Sequence, residues 1–345
     1  IIRPDLCFAI AILLLSKNKF MRIYTKYRTV PGTLFFDISK ILKYQKTPIV
    51  ILENVRNLVS HDNGKTWQII KETLQNLGYI INSEPIVISP HNLGIPQLRE
   101  RVIILAYHKT LNLEDFKIQL PTKNQYKTNI ESILDKEADQ KYHISNHEQK
   151  LLHCWDEFIK GIKFIPKKSV KTKEFIKEPF LGTIGFPVWA DEFINKSLIS
   201  SDNKKWKNDF IIKNHLLFKY NNKFIKNWLK KWNNLSDFTK TEKKLEWQCG
   251  GEYKSIWETI IQFRPSGVRV KKPDVFPALV AMVQLPIIGK YKRRITPKEA
   301  SRLQSFSENF ICNDIDYQAY KQFGNAVNVK VVEFIAKQLL DKYLK

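Results

Sequence analysis

With 345 residues, 43% of them hydrophobic, the chain can bury one large core or two ordinary ones, and four cysteines without a Cys-x-x-Cys pair suggest neither a zinc site nor a disulfide framework. Its 57 Lys plus Arg against 34 Asp plus Glu give a formal charge of +23, more than solubility requires, so a polyanionic partner is expected. Eight Trp and 13 Tyr, able to stack on bases or wedge between them, favour nucleic acid; composition leaves open DNA, RNA, or a solvated lysine-rich surface.

The opening apolar run LCFAIAILLL, residues 6–15, is too short to span a bilayer, so no membrane association is expected. Cys7 within it is read as an ordinary buried cysteine, and the wide cysteine spacing fits a reducing cytoplasm. Phe35, Ile38 and Leu42 recur at helical spacing and predict a helix over 33–44, and the run Pro48 to Leu52 predicts a buried parallel strand. After a loop over 53–63, Trp67, Ile70, Leu74 and Leu77 mark a second helix that Gly78 can end in a left-handed cap. Strands are expected around 79–88 and 102–107. Asn63-Gly64-Lys65-Thr66 echoes a phosphate loop, but Val59 stands where its first glycine belongs, so a turn before a helix is the better reading. His61 and His91 have no ligand spacing, and no metal is expected.

This alternation over the first 108 residues predicts an open α/β sheet. Ligands of such sheets gather at strand C-terminal ends, and Glu53, directly after Leu52, occupies one. From about Leu111 to Lys290 the chain turns lysine-rich, and seven of the eight tryptophans fall between Trp155 and Trp257. Between Ser201 and Gly250, twelve lysines face five acidic residues, interleaved with Trp206, Trp228, Trp232 and Trp247, a mixture suited to tracking a phosphate backbone. Inside that stretch Ile225, Trp228, Leu229 and Trp232 have the spacing of one buried helical face. A last helix over 331–343 puts Val332, Ile335, Leu339 and Tyr343 on one face that could dock on the sheet.

Four separated stretches carry a resemblance. They are Leu52-Glu53-Asn54-Val55; the run Gly94 to Val102, GIPQLRERV; the run Arg293 to Phe306, RRITPKEASRLQSF; and Tyr320 to Val327, YKQFGNAV. In order and context they resemble the DNA (cytosine-5) methyltransferase family: its Glu-Asn-Val motif, its Gln-x-Arg-x-Arg block, the segment organising its recognition domain, and its closing Gly-Asn-Ser-Val motif. The resemblance implies that Glu53 binds the N3 and amino edge of a flipped cytosine, which needs a carboxyl held partly protonated or hydrogen-bonded. It implies that Arg99 and Arg101, on one face of an extended segment, hold the target phosphate and the cytosine carbonyl, and that Asn54 braces the nucleophile loop. Gln97 is assigned to DNA, and Gly324, Asn325 and Val327 to the S-adenosyl-L-methionine pocket; Ala326 stands where the family has serine. For Thr296, Pro297, Glu299 and Arg302 a structural role is expected, since Thr-Pro-x-Glu is also a plain helix start. Arg264, Arg269, Lys271 and Lys272 are candidate phosphate contacts.

The family's Pro-Cys-Gln nucleophile motif, its Phe-x-Gly-x-Gly cofactor loop and the acidic ribose ligand have no counterpart in the sequence, and residues 1–31 match nothing. That junction suggests a split, truncated or frameshifted gene. The expected fold class is α/β: a partial Rossmann-like S-adenosylmethionine-dependent methyltransferase sheet (32–108), an inserted target-recognition region (109–310) and a C-terminal segment returning to the sheet (311–345). The implied activity is methyl transfer from S-adenosyl-L-methionine to cytosine C5 in double-stranded DNA, in the cytoplasm and nucleoid of a bacterium with a restriction-modification system. A separate chain is the expected source of the missing motifs. The alternatives are an inactive DNA-binding subunit or remnant, and RNA methylation.

Overall fold

In the computed structural model the described residues are 8–12, 34–111, 117–122, 125–168, 175–179, 184–193, 199–279 and 284–343. They divide into two units, the first drawn from 1–129, 302–310 and 325–345, the second from 130–301 and 311–324. The first unit begins with β1 (Phe8–Ile12), α1 (Leu34–Gln45), β2 (Ile49–Val55), α2 (Lys65–Asn76), β3 (Tyr79–Ile81), β4 (Ile86–Ile88), β5 (Gln97–Leu98) and β6 (Arg101–His108). The second carries α3 (Asn146–Gly161), β7 (Phe164–Lys168), β8 (Phe175–Pro179), β9 (Val188–Trp189), α4 (Lys205–Tyr220) and α5 (Asn222–Lys231). Strands β10 (Lys244–Gln248), β11 (Ile260–Arg264), β12 (Gly267–Lys271), β13 (Phe276–Pro277), β14 (Ile287–Ile288) and β15 (Arg293–Arg294) follow. The chain ends with α6 (Pro297–Leu303), α7 (Asp316–Asn325) and α8 (Val329–Tyr343).

In the first unit the sheet runs β1-β2-β6-β3, with β4 also paired to β6. Successive strand residues face opposite ways, and both faces of β2 and β6 are apolar, so the sheet is covered on both sides. Val50, Leu52, Val102, Ile104 and Ala106 pack with Phe35 and Leu42 of α1 and Ile70 and Leu74 of α2. Ile49, Ile51, Ile103 and Leu105 pack with Val331, Ile335 and Leu339 of α8. The closing helix thus docks on the sheet as its spacing predicts, but through Val331, with Val332 only half-buried. Gly78 ends the α2 turn at φ +86°, the left-handed cap expected there. Asp62, Asn63 and Gly64 all have positive φ immediately before α2, so Asn63-Gly64-Lys65-Thr66 is indeed a turn.

Three expectations change. β2 does not stop at Leu52: Glu53 pairs with Ile103, Asn54 with Val102 and Val55 with Arg101, so Glu53 lies inside the strand. The extension follows from the length of β6, whose ladder continues to Arg101. The sheet is also mixed, because β2 is parallel to β1 but antiparallel to β6. Finally, the single strand expected over 79–88 is two, both antiparallel to β6. Asn82 interrupts it, its side-chain oxygen accepting the Leu105 amide at 3.0 Å. Of the apolar run 6–15, Phe8–Ile12 forms β1 alongside β2; Cys7 lies outside the described residues.

The second unit centres on a sheet ordered β15-β14-β11-β12-β10-β9, with β7 and β8 as a separate antiparallel hairpin. Its core includes Trp155, Phe158, Trp228, Leu245, Trp247, Val268 and Val270. Ile225, Trp228 and Leu229 form the buried face of α5, as their spacing predicts. The tryptophans expected to serve nucleic acid are mostly structural. Trp155, Trp228 and Trp247 are at most 2% exposed, and their indole N–H groups donate to the carbonyls of Glu242, Cys154 and Gly250. Trp206, 54% exposed, is the exception. Among the described residues no helix is long and apolar enough to cross a membrane.

Candidate functional site

Pairing of β2 with β6 sets Glu53 opposite Ile103 and makes Arg101, two residues before Ile103, its diagonal neighbour on the same face. A long side chain spans that diagonal, and Arg101 Nε lies 2.7 Å from Glu53 Oε1. Both are largely buried, Glu53 at 7% exposure. Burial pushes the Glu53 carboxyl above its ordinary pKa, while Arg101 and then Arg99 pull the other way without cancelling it. The same burial lowers Arg101 and brings Arg99 down to about 10. A carboxyl with this bias, braced by a guanidinium, can present either a proton or a lone pair to a neutral heterocycle. Asn54, facing the opposite side of the sheet, is buried and its Oδ1 accepts the Val55 amide at 2.8 Å.

Ser89 anchors the Gln97 to Arg101 segment. It caps the short turn Pro90–Leu93 in a reciprocal capping box with Asn92, and its Oγ also accepts the Arg99 backbone amide at 2.8 Å. His91 Nδ1 sits 2.8 Å from the same oxygen. The Arg99 guanidinium, 5% exposed as a residue, donates from Nη2 to the Ala326 carbonyl at 3.1 Å. Alanine in place of the family's serine leaves this contact intact because it uses the main chain. Val327, Asn328 and Val331 line a narrow cleft with Arg99 and Arg101. Asn328 donates to the Leu303 carbonyl at 2.9 Å, and the Val329 amide donates to the Gln304 carbonyl at 3.0 Å. Contacts therefore link the first, second and fourth stretches within the first unit, and residues just after the fourth link it to the end of the third. Glu53 meets the arginine block, the arginine block meets the Gly-Asn-Ala-Val turn, and the two residues that follow that turn, Asn328 and Val329, meet the end of the third stretch.

Gly324 and Asn325 close α7, with Gly324 buried and Asn325 exposed; the glycine does not use a positive φ. Gln97 is fully buried, and neither atom of its carboxamide has a hydrogen-bond partner. Sequence reasoning missed Ser89 and Asn328. Ser-Pro before a short turn is a capping signal that could have marked Ser89, whereas Asn328 had only its adjacency to the fourth stretch.

The other candidates lie in the second unit. Arg269 Nε pairs with Glu246 at 2.7 Å and Lys272 with Glu252 at 2.9 Å. Lys271 is half-buried and its pKa is lowered, chiefly by burial and then by Arg269. Arg264 sits at the β11–β12 turn, opposite Gly267. Thr296 and Glu299 form the expected helix start: the Thr296 amide donates to Glu299 Oε2 at 2.7 Å, and the Glu299 amide to Thr296 Oγ1 at 3.1 Å. Glu299 also takes a bidentate grip from Arg293, at 2.9 and 2.8 Å, and accepts the Asp135 amide. Arg302, in the first unit, pairs with Glu308.

Neither Cys154 nor Cys249 suits a nucleophile. Burial pushes the Cys154 thiol far up and the Cys249 thiol up to about 12, and both are fully buried in the second unit's core. Iodoacetamide applied to the native chain should label Cys312, which is half-buried, and spare Cys154 and Cys249 until denaturant is added. Peptide mass spectrometry checks this, and native labelling of Cys154 would contradict the core packing. Among the described residues no group of His, Cys, Asp and Glu could hold a metal ion.

Comparisons with known proteins fit this geometry. The family model for C-5 cytosine-specific DNA methylase matches residues 25–341. Type II methyltransferase M.AluI of Cellulosimicrobium cellulans is 30% identical over 386 residues, covering 89% of this chain and 74% of that protein. Type II methyltransferase M.SsoII of Shigella sonnei is 29% identical over 311 residues, covering 90% of this chain but only 57% of its own length. The fold is shared with a solved E. coli structure of a DNA modification methyltransferase encoded within a prophage: TM-score 0.51, 15% identity, covering 98% of this chain and 79% of that one.

Proposed function

Because the chain belongs to the C-5 cytosine-specific DNA methylase family, we propose that it supplies the base-binding and DNA-recognition parts of an enzyme that methylates cytosine C5 in duplex DNA. S-adenosyl-L-methionine is the methyl donor in this reading, and the setting is a type II restriction-modification system working on DNA in the bacterial cytoplasm. The observation that carries the proposal is the buried Glu53–Arg101 pair, held by the same block that reaches the Ala326 turn through Arg99. Attack at cytosine C6 is helped when N3 is hydrogen-bonded to an acid, because electron density then flows out of the ring toward N3. Glu53 is the group for that role, and burial, which raises its pKa, keeps it protonated to higher pH than an exposed glutamate. Arg101 fixes the carboxyl, and the two arginines offer cationic donors to the base carbonyl or an adjacent phosphate.

In this reading these 345 residues supply only part of the methyl donor's site. Residues 324–327 contribute main-chain groups and one exposed carboxamide, the Ala326 carbonyl is engaged by Arg99, and the sequence has no glycine-rich loop or acidic ribose ligand. In this proposal those motifs and the nucleophilic cysteine come from residues other than these 345, in the same protein or in a separate chain. The rival reading, an inactive DNA-binding subunit or remnant, draws on the sealed thiols of Cys154 and Cys249.

Tritiated methyl transfer to mixed-sequence DNA separates the two readings. The chain alone should be inactive and should gain activity when an amino-terminal half bearing the missing motifs is added. Activity without the supplement would refute the incomplete-site account. No activity in either case, with salt-sensitive DNA binding retained, would favour the binding subunit.

A further inference from the structure

The second unit contains a cavity of about 760 Å³ between α4 and α5, of the size that takes a small organic ligand. Its apolar side is formed by Leu216 and Phe218 over Phe193 and Leu229, which are themselves only 2% and 6% exposed; the Phe218 ring stacks on Phe193 at 6.1 Å and 19°. Phe218, half-buried, keeps surface against which a flat ring can pack. Three polar groups at the cavity have unused hydrogen-bonding capacity. His215 Nε2 is sealed from solvent with no partner, and the carboxamides of Asn222 and Asn234 make no hydrogen bond to another described residue. Carboxamides present a donor and an acceptor side by side, the pattern that matches the edge of a nucleobase.

Charge decides the rest of the ligand. Lys219 and Lys226 line the cavity, neither is in an ion pair with a described residue, and no described acidic side chain joins them. An anionic group is favoured there. The backbone adds an independent sign: Asn233, Asn234 and Leu235 are three consecutive residues at φ +47°, +50° and +59°. Left-handed conformation is costly in succession, and for leucine especially, and such strain collects at ligand sites. It presents Asn234 to the cavity.

We propose that this cavity binds a nucleotide, its base against Phe218 and within reach of Asn222 and Asn234, its phosphate at Lys219 and Lys226. The site is independent of the Glu53 carboxyl and of methyl transfer. The nucleotide could be free in solution or an extrahelical residue of bound DNA; the chemistry recognised is the same.

Calorimetric titration of the whole chain tests this with deoxyadenylate, deoxycytidylate, adenosine and inorganic phosphate. The nucleotides should bind at least about tenfold more tightly than adenosine or phosphate. The double variant Lys219→Ala/Lys226→Ala and the cavity-filling Leu216→Trp should each weaken nucleotide binding by about tenfold or more. Melting temperatures verify folding; if Leu216→Trp melts early, the exposed lysine pair decides. Duplexes with and without one unpaired adenosine identify the source: a preference for the unpaired duplex, lost in the variants, assigns the site to DNA even if free nucleotides bind weakly. Phosphate or adenosine matching the nucleotides, wild-type affinity in a folded variant, or no saturable binding in either arm would overturn the proposal.

Discussion

In an active complex containing this chain, Glu53→Gln should lower the methyl-transfer rate by about a hundred- to ten-thousandfold, the range that loss of a positioned acid commonly costs, while duplex DNA affinity changes little. Glutamine keeps the size and one acceptor for Arg101 but cannot give a proton to N3. The pH profile carries the sharper signature. Burial raises the Glu53 carboxyl above its ordinary value, so its protonated fraction persists to higher pH than an exposed glutamate would allow and falls as pH rises through that raised pKa. The wild-type rate should therefore decline on the alkaline side of this transition, and the glutamine variant, which does not titrate, should lose that limb. Single-turnover methylation across pH, beside filter binding to the same duplex, measures both. Equal loss of binding and rate would make Glu53 a structural residue.

Glu299→Ala should destabilise the second unit by about 3–5 kcal/mol, the usual cost of stranding one partner of a buried ion pair. Arg293 and Glu299 have side chains 3% and 0% exposed, and the carboxylate also satisfies the amides of Thr296 and Asp135. Removing it leaves a guanidinium and two N–H groups buried without their acceptor. Against a typical domain stability of about 5–15 kcal/mol, this is a large fraction. Urea denaturation followed by tryptophan fluorescence reports on the right unit, because Trp155, Trp228 and Trp247 lie in its core. A replacement of both partners, Arg293→Met with Glu299→Leu, should recover much of the loss, since no charge then remains buried. A loss below about 1 kcal/mol for Glu299→Ala would mean that the pair is solvated like a surface salt bridge.

The two predictions draw on stretches that the sequence made visible in different ways. Glu-Asn-Val and Gln-x-Arg-x-Arg each had a short, position-specific pattern, and the strands carrying them had apolar runs long enough to be recognised. Thr296 and Glu299 were legible as a helix start because a capping box is a local device whose partners are three residues apart. The role of Arg293 was not legible: its partner is close in sequence, but its burial depends on the fold around Asp135, far away along the chain. Arg269 and Lys272, as basic residues on a basic chain, looked available for phosphate; the acids beside them come from β10 and from Glu252.

What the sequence determined by itself was the layered α/β pattern of the first hundred residues, the docking of the last helix through Ile335 and Leu339, and the family. Hydrophobic periodicity and short motifs are local and survive reading one residue at a time. Tertiary structure alone decided that Glu53 lies within a strand and is paired diagonally with Arg101. It also decided that Arg99 holds the Ala326 carbonyl, and that the tryptophans chiefly build a core. Each depends on register between segments tens to hundreds of residues apart. Strand pairing fixes which side chains become neighbours, and burial then fixes their charge, so neither can be read from composition or spacing along one segment.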